Sequence, residues 1–269
     1  MNELKTVMKQ LSGRILAITN EKGGVGKTTY CQHISHALLE AGLTVAAVDF
    51  DPQKNFTNVM TGHAGIDPAG YLCSSHLFND SLPELPLYEV RPGFYLLAAD
   101  PELADIETIP FESGVVAFPD YHLSELIKKH KIDVVVIDTP PVAGNRQLAG
   151  VLAATNVLLP MELTQFSIDG IGSVFERLEG LCRVFDTPLP TFTLLPNRIN
   201  ARAAKTATYL DAIVKTYPSV ALPALVQRQP IADAADLATP VWKLRDGNAR
   251  MAASNIKQQL TSMVKEILA

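Results

Sequence analysis

A glycine-rich segment that holds two lysines and two threonines carries the clearest chemical signal of this sequence: Lys22-Gly23-Gly24-Val25-Gly26-Lys27-Thr28-Thr29. Glycine lets the backbone curl until successive N–H groups point into one concavity, where they can bind phosphate oxygens. At this spacing Lys27 would reach the β- and γ-phosphates of a nucleotide, and the Thr28 hydroxyl would take a place on Mg²⁺. The predicted phosphate-binding residues are Gly23, Gly24, Val25, Gly26, Lys27, Thr28 and Thr29.

Acidic residues follow two later apolar runs. The run 44–48 ends at Asp49 and Asp51, and the run 133–137, which is rich in valine, ends at Asp138. Ligands of open α/β sheets bind at the carboxyl ends of the strands, so these carboxylates are expected to face the phosphates. Asp138 would accept a hydrogen bond from Mg²⁺-bound water or from Thr28.

The elements around these residues predict the fold. The apolar run 15–19 precedes the glycine-rich segment, and Ile34, Ala37, Leu38 and Ala41 follow it at helical spacing. Strands and helices alternate in this way along the chain. We therefore predict an α/β fold with a doubly wound, mostly parallel sheet, helices on both faces and nucleotide at the strand ends.

The predicted domain organisation is simple. Residues 1–13 form a short extension, interpreted as a polar helix rather than a signal peptide, and residues 14–269 form a single P-loop domain. Residues 61–93 and 109–119 are expected to be irregular, because they hold many of the glycines and prolines. A final helix is expected over 248–268.

Composition limits the function classes. The 269 residues, 47% of them hydrophobic and 19% charged, suit one compact domain. No apolar run approaches the ~20 residues of a membrane span. The three cysteines, Cys31, Cys73 and Cys182, are far apart and favour reduced thiols in a cytosolic protein.

The charge is distributed unevenly. The net charge is −5, but residues 1–195 hold 13 Lys/Arg against 23 Asp/Glu, and residues 196–269 hold 10 against 5. The basic last quarter is expected either to face an anionic partner or to reflect ordinary scatter of surface charge.

The glycine-rich segment departs from the common phosphate-loop pattern, because Glu21 stands where that pattern has glycine and Lys22 adds a second lysine. The pattern Lys-Gly-Gly-x-Gly-Lys-Thr resembles the deviant Walker A loop of the ParA/MinD family of P-loop ATPases. The segments 49–53 and 138–141 resemble the next motifs of that family. The segment 225–241 resembles its late strand and helix start, so a strand is expected near residue 226. The resemblance extends from Arg14 to about Leu244 and implies an ATPase that uses ATP and Mg²⁺.

The resemblance also implies roles for single residues. Lys22 would reach across a dimer interface to the partner's nucleotide, Asp49 would help to hold Mg²⁺ through water, and Asp51 would orient the attacking water. Asn197, at the end of a strand over 191–195, would read the adenine amino group, unless it is only a turn asparagine. The implied catalytic residues are Lys22, Lys27 and Asp51, and the implied metal site is Thr28, Asp49 and Asp138.

The short ParA/Soj-type partition ATPases are the subgroup that the chain resembles most. This implies a homodimer with ATP, nonspecific DNA binding, a ParB-like centromere-binding or adaptor protein as partner, and a cytoplasmic location on the nucleoid without membrane attachment. The candidate DNA-binding residues are Arg198, Arg202, Lys205 and Arg228, with a solvated surface charge as the alternative for each.

Three alternatives keep the same core. A MinD-like ATPase would act on a membrane, although the last helix lacks the lysine-rich face that membrane binding favours. A carrier would position a protein assembly instead of DNA. A metabolic P-loop enzyme such as a ligase would need a substrate pocket, for which residues 61–93 are the candidate place.

Overall fold

The computed structural model describes residues 2–200 and 205–269 and contains one sheet covered by helices on both faces. The strands of this part of the chain are β1 (Arg14–Ile18), β2 (Val45–Asp49), β3 (Tyr88–Arg91), β4 (Phe94–Leu97), β5 (Val134–Asp138), β6 (Asn156–Met161) and β7 (Thr191–Pro196). They lie in the order β3-β4-β2-β5-β1-β6-β7, and every neighbouring pair is parallel except β3 and β4.

One helix precedes the first strand, and the others lie between strands or after the last of them. The helices are α1 (Asn2–Met8), α2 (Lys27–Glu40), α3 (Asn55–Met60), α4 (Phe118–His130), α5 (Asn145–Leu152), α6 (Gln165–Val184), α7 (Lys205–Thr216), α8 (Gln229–Asp236) and α9 (Gly247–Leu268). None of the described helices is both long and apolar enough to cross a bilayer.

Two apolar layers hold the helices to the sheet. Every residue of β2 and β5 is buried, as expected for parallel strands covered on both faces. Helices α4, α5 and α6 contribute to the core on one face, and α1, α2, α8 and α9 contribute to the core on the other. The predicted doubly wound, mostly parallel fold is confirmed.

The register brings the predicted motifs together. Strand β5 lies between β1 and β2, with Ile18 and Asp49 both paired with Asp138. The carboxyl ends of these three strands therefore lie side by side at one edge of the sheet. The glycine-rich segment leaves from β1 at the same edge, directly before α2.

Some local expectations differ from the structure. Residues 88–91 were expected to be irregular, but they form β3, an antiparallel edge strand in which half-buried and exposed side chains alternate. The first helix is not simply polar, because Leu4 and Met8 are buried against the core. Near residue 226 the expected strand is reduced to an isolated bridge between Ile199 and Val226.

The last helix takes part in the support of the site. The Tyr30 hydroxyl of α2 donates a hydrogen bond to the Gln259 side chain of α9, and Gln259 Nε2 donates to the Pro196 carbonyl at 2.9 Å. All three groups are buried. Helices α2 and α9 and the end of β7 are thereby joined by one polar network in an apolar layer.

Candidate active site

The glycine-rich loop takes a backbone shape that needs glycine at two positions. Gly24 and Gly26 have φ values of +75° and +99°, in the left-handed region that other residues rarely adopt. Gly26 is also the residue that precedes α2, so the positive end of that helix faces the loop. The loop thus has the local geometry of an anion site.

Lys27 places a buried cation at this loop. It is the first residue of α2, only 7% of it is exposed, and its Nζ donates to the Asn20 carbonyl at 2.9 Å. Burial lowers the pKa of Lys27, while the negative charges of Asp138 and Asp51 oppose that shift. The ammonium group is thus held between a backbone carbonyl and two acids, close to where phosphates would enter.

Thr28 and Asp138 form the predicted pair. The Thr28 hydroxyl donates to Asp138 Oδ2 at 2.6 Å, while Asp138 Oδ1 is buried and has no hydrogen-bond partner among the described residues. Burial and the charge of Asp49 raise the pKa of Asp138, and the hydrogen bond from Thr28 opposes this. A hydroxyl beside an unsatisfied carboxylate oxygen fits Mg²⁺ with its water shell, which prefers oxygen ligands.

Asp49 is engaged differently. Its Oδ2 accepts hydrogen bonds from the backbone N–H and the hydroxyl of Thr57, both at 2.8 Å, and its Oδ1 accepts from the Asp51 N–H at 3.1 Å. Burial raises its pKa, and these hydrogen bonds oppose the shift. In this structure Asp49 therefore fixes the start of α3, and its contact with Mg²⁺ through water stays a prediction.

Asp51 lies at the same edge, two residues beyond the end of β2. Its Oδ1 accepts from the Gln53 N–H at 3.0 Å, which closes a tight turn. Only 9% of Asp51 is exposed, so the carboxylate lies in a partly closed site and not on open surface. This placement is compatible with the predicted orientation of water.

Lys22 lies at the outer side of the loop. Its Nζ is 2.6 Å from Glu162 Oε2, just beyond β6, while its neighbour Glu21 forms an ion pair with Arg177 of α6. Both pairs are partly exposed. Lys22 is therefore bound to an acid of its own chain in this structure.

The two residues that follow β7 donate hydrogen bonds to the backbone of the loop. Asn197 Nδ2 donates to the Val25 carbonyl at 2.8 Å, and the Arg198 guanidinium donates to the Gly24 carbonyl. Asn197 was expected to read adenine, and Arg198 was expected to contact DNA. In this structure both side chains bind the loop, and their expected roles toward adenine and DNA stay predictions.

The contact between Asn197 and the loop makes Gly26 a sensitive position. A Cβ added at Gly26 would lie 2.5 Å from Asn197 Nδ2, whereas one added at Gly23 meets nothing within 4 Å. We expect Gly26→Ala to lower the free energy of unfolding by about 1–3 kcal/mol, because of the clash and the left-handed backbone. Gly23→Ala is the matched control. Equal denaturant midpoints for the two variants would contradict this account of the loop.

The other candidate DNA-binding residues are spread over separate elements. Lys205 is exposed and begins α7, and Arg228 precedes α8, half-buried, with its Nε lacking a partner among the described residues. Arg202 lies outside the described residues. The contacts of the described chain do not join these residues into one cluster.

Two residues that contribute contacts around the site were not predicted from the sequence. Glu107 lies in a 3₁₀ turn and accepts hydrogen bonds from Asn145 N at 2.8 Å and Arg146 Nε at 2.7 Å, which anchors the start of α5. Glu162 was also missed, although the strand-end rule that identified Asp138 applied to it. For Glu107 the sequence offered no comparable signal.

A cavity of about 820 Å³ opens beside Lys22, between the ends of β1 and β6 and helices α5 and α6. Its walls are largely apolar: Leu148, Leu159, Met161, Ile171, Val174 and Leu178. The expected place for a substrate pocket, residues 61–93, does not line this cavity.

Known proteins match most of this chain. The AAA domain family matches residues 13–189. Protein IncC from Escherichia coli is 30% identical over 253 residues, which cover 91% of this chain and 67% of IncC. The chromosome-partitioning ATPase Soj from Thermus thermophilus is 30% identical over 166 residues, 62% of this chain and 61% of Soj.

A solved structure of a synthase is similar as well. Cobyrinic acid a,c-diamide synthase from Mycobacterium smegmatis, with bound ATP analog and magnesium, is 27% identical with a TM-score of 0.68. The match covers 84% of this chain and 91% of the synthase.

Proposed function

Because this chain belongs to the ParA/MinD family of P-loop ATPases, we propose that it is a ParA-type ATPase that segregates or positions DNA. The observation that carries the proposal is the phosphate loop at the strand ends, where Lys27 is buried and Thr28 bonds Asp138. The partition relative Soj supports the choice of DNA as cargo.

The chain's own residues account for ATP hydrolysis. The loop N–H groups and Lys27 bind the phosphates, and Thr28 and Asp138 would hold Mg²⁺. An ion held there would supply positive charge that neutralises the phosphate oxygens. Asp51 orients a water whose oxygen bonds to the γ-phosphorus as the bond from that phosphorus to the β–γ bridging oxygen breaks, giving ADP and phosphate. Catalysis then depends on positioning and on stabilisation of charge.

The fuller cycle requires a second copy of the chain. With ATP bound, two protomers pair face to face, and Lys22 of each reaches the nucleotide of the other. The basic last quarter then binds DNA phosphates without reading sequence. A ParB-like or adaptor protein stimulates hydrolysis, which separates the protomers and releases the DNA in the cytoplasm.

DNA binding that depends on ATP and on salt tests this proposal. Pairing doubles the phosphate contacts on one duplex, so ATP should raise the affinity of the wild type. The slope of log affinity against log salt concentration is about −0.9 per phosphate neutralised. Lys205→Gln or Arg228→Gln removes one phosphate contact from each of the two protomers, so either change should make the slope of the dimer less steep by about 1.8. Fluorescence anisotropy with two unrelated duplexes measures both quantities.

Two controls sharpen this experiment. Lys128→Gln removes an exposed lysine of α4 and should leave the slope unchanged. Lys22→Ala should bind ATP but gain no DNA affinity from it, because it lacks the contact with the partner. A wild-type DNA affinity that depends on neither ATP nor salt concentration would refute the proposed function.

The apolar cavity beside Lys22 favours a second candidate, an ATP-dependent enzyme that acts on a small molecule. Similarity to the synthase supports it too. ATP turnover separates the two candidates, since the first requires stimulation by DNA with a partner protein and the second requires stimulation by a small acid or amide donor.

A further inference from the structure

Lys22, the first lysine of the loop, forms an ion pair within its own protomer. Lys22 Nζ lies 2.6 Å from Glu162 Oε2, and the two side chains are 49% and 27% exposed. Glu162 follows β6 directly and leads into α6. An ammonium group at this distance from a carboxylate forms a charge-assisted hydrogen bond.

A second ion pair holds the same part of the loop. Glu21 pairs with Arg177, which lies on α6 and is partly exposed. Two consecutive residues of the loop are thus attached to the segment that follows β6. Lys22 cannot extend toward another protomer while its ammonium group stays on Glu162.

We propose that Glu162 is an intramolecular counter-ion that competes with the partner's nucleotide for Lys22, and so sets the protein concentration at which the ATP dimer forms. This inference rests on the proposed role of Lys22 in the partner's site. In the monomer Glu162 holds the lysine, and in the dimer phosphate oxygens replace the carboxylate.

The exposure of the pair makes such an exchange feasible. Partly exposed ion pairs are weak, typically about 0.2–1 kcal/mol, because water screens the charges. Loss of one pair therefore changes an equilibrium by about 1.4- to 5-fold. A symmetric dimer opens two pairs, so the effect is squared. We expect Glu162→Gln to lower the dimer dissociation constant in ATP by about 2- to 25-fold.

The first experiment measures dimerisation of the full chain by analytical ultracentrifugation with ATP and Mg²⁺. Glu179→Gln is the matched control, because it removes the same charge from an α6 acid that pairs with Arg183. We expect a lower dissociation constant for Glu162→Gln only. Raising the salt should reduce the difference from wild type, since ions screen the pair.

The second experiment tests the ion pair without ATP. An acetylating reagent should modify the Lys22 amine about 1.4- to 5-fold faster in Glu162→Gln than in Glu179→Gln, because the carboxylate no longer holds it. Peptide mass spectrometry quantifies the modification. Equal rates would overturn the proposed contact.

The two failures look different. A dimer that forms with the same dissociation constant in wild type, Glu162→Gln and Glu179→Gln would overturn the competition. Absence of an ATP dimer in all three proteins would instead refute the proposed function, and with it the competition.

Discussion

Lys27→Ala is expected to lose ATP affinity by about 10- to 150-fold, because a hydrogen bond to a charged group contributes about 1.5–3 kcal/mol. The reason lies in the position of Lys27, which is the first residue of α2 and is buried beside Asp51 and Asp138. Alanine leaves the phosphates without this cation, and the two acids then repel them. Isothermal titration calorimetry with a nonhydrolysable ATP analogue measures the loss.

The control for Lys27 is a lysine that lies on the surface. Lys128→Ala removes the same side chain from α4, where it is exposed and pairs with Glu125, and should bind ATP like the wild type. Circular dichroism establishes that both variants fold. A folded Lys27→Ala protein with wild-type affinity would contradict the assignment of the phosphate loop.

Asp51→Asn should reduce ATP turnover by about 10²-fold while leaving ATP affinity nearly unchanged, the loss expected when a reacting group is displaced from its productive position. Asparagine retains the side-chain oxygen that accepts the Gln53 N–H, so the turn should persist. It removes only the negative charge. Phosphate release under single-turnover conditions gives the rate of the chemical step.

The same variant reports on the dimer. If hydrolysis separates the protomers, Asp51→Asn should accumulate as a dimer in ATP, which light scattering detects. Asp51→Ala provides the comparison, because it also removes the turn contact and should cost stability as well. An Asp51→Asn protein that hydrolyses ATP at the wild-type rate would show that Asp51 does not orient the water.

The sequence predicts the parts of the site that depend on local pattern. The two acids Asp49 and Asp138 each end a run of apolar residues, and parallel strands bring such ends to one edge. Positive φ at Gly24 and Gly26 follows from the same segment that suggested phosphate binding. These features need only short-range information, together with the general rule for open α/β sheets.

The remaining parts depend on contacts between distant residues. Asn197 lies 172 positions from Val25, and nothing in either segment indicates that one amide would hold the other's carbonyl. Glu162 and Lys22 are separated by 140 positions. Such pairs form because β6 and β7 follow β1 in the order of the sheet, which the residue types alone do not reveal.

The edge strand β3 was not predicted from the sequence for a different reason. Its residues alternate in burial, but the glycines and prolines around them suggested an irregular segment, and a single edge contact with β4 decides the outcome. A short strand at an edge gains little from its own sequence and depends on its neighbour.

The network of Tyr30, Gln259 and Pro196 has a consequence for synthesis on the ribosome. The phosphate loop is translated directly before Tyr30, but Gln259, the residue of α9 that ties α2 to the end of β7, follows 229 positions later. A nascent chain that ends before Gln259 lacks this tie, so α9 can support α2 and the end of β7 only after that residue has been translated. The contact between Tyr30 and Gln259 has a large sequence separation, so it forms long after the phosphate loop has been translated.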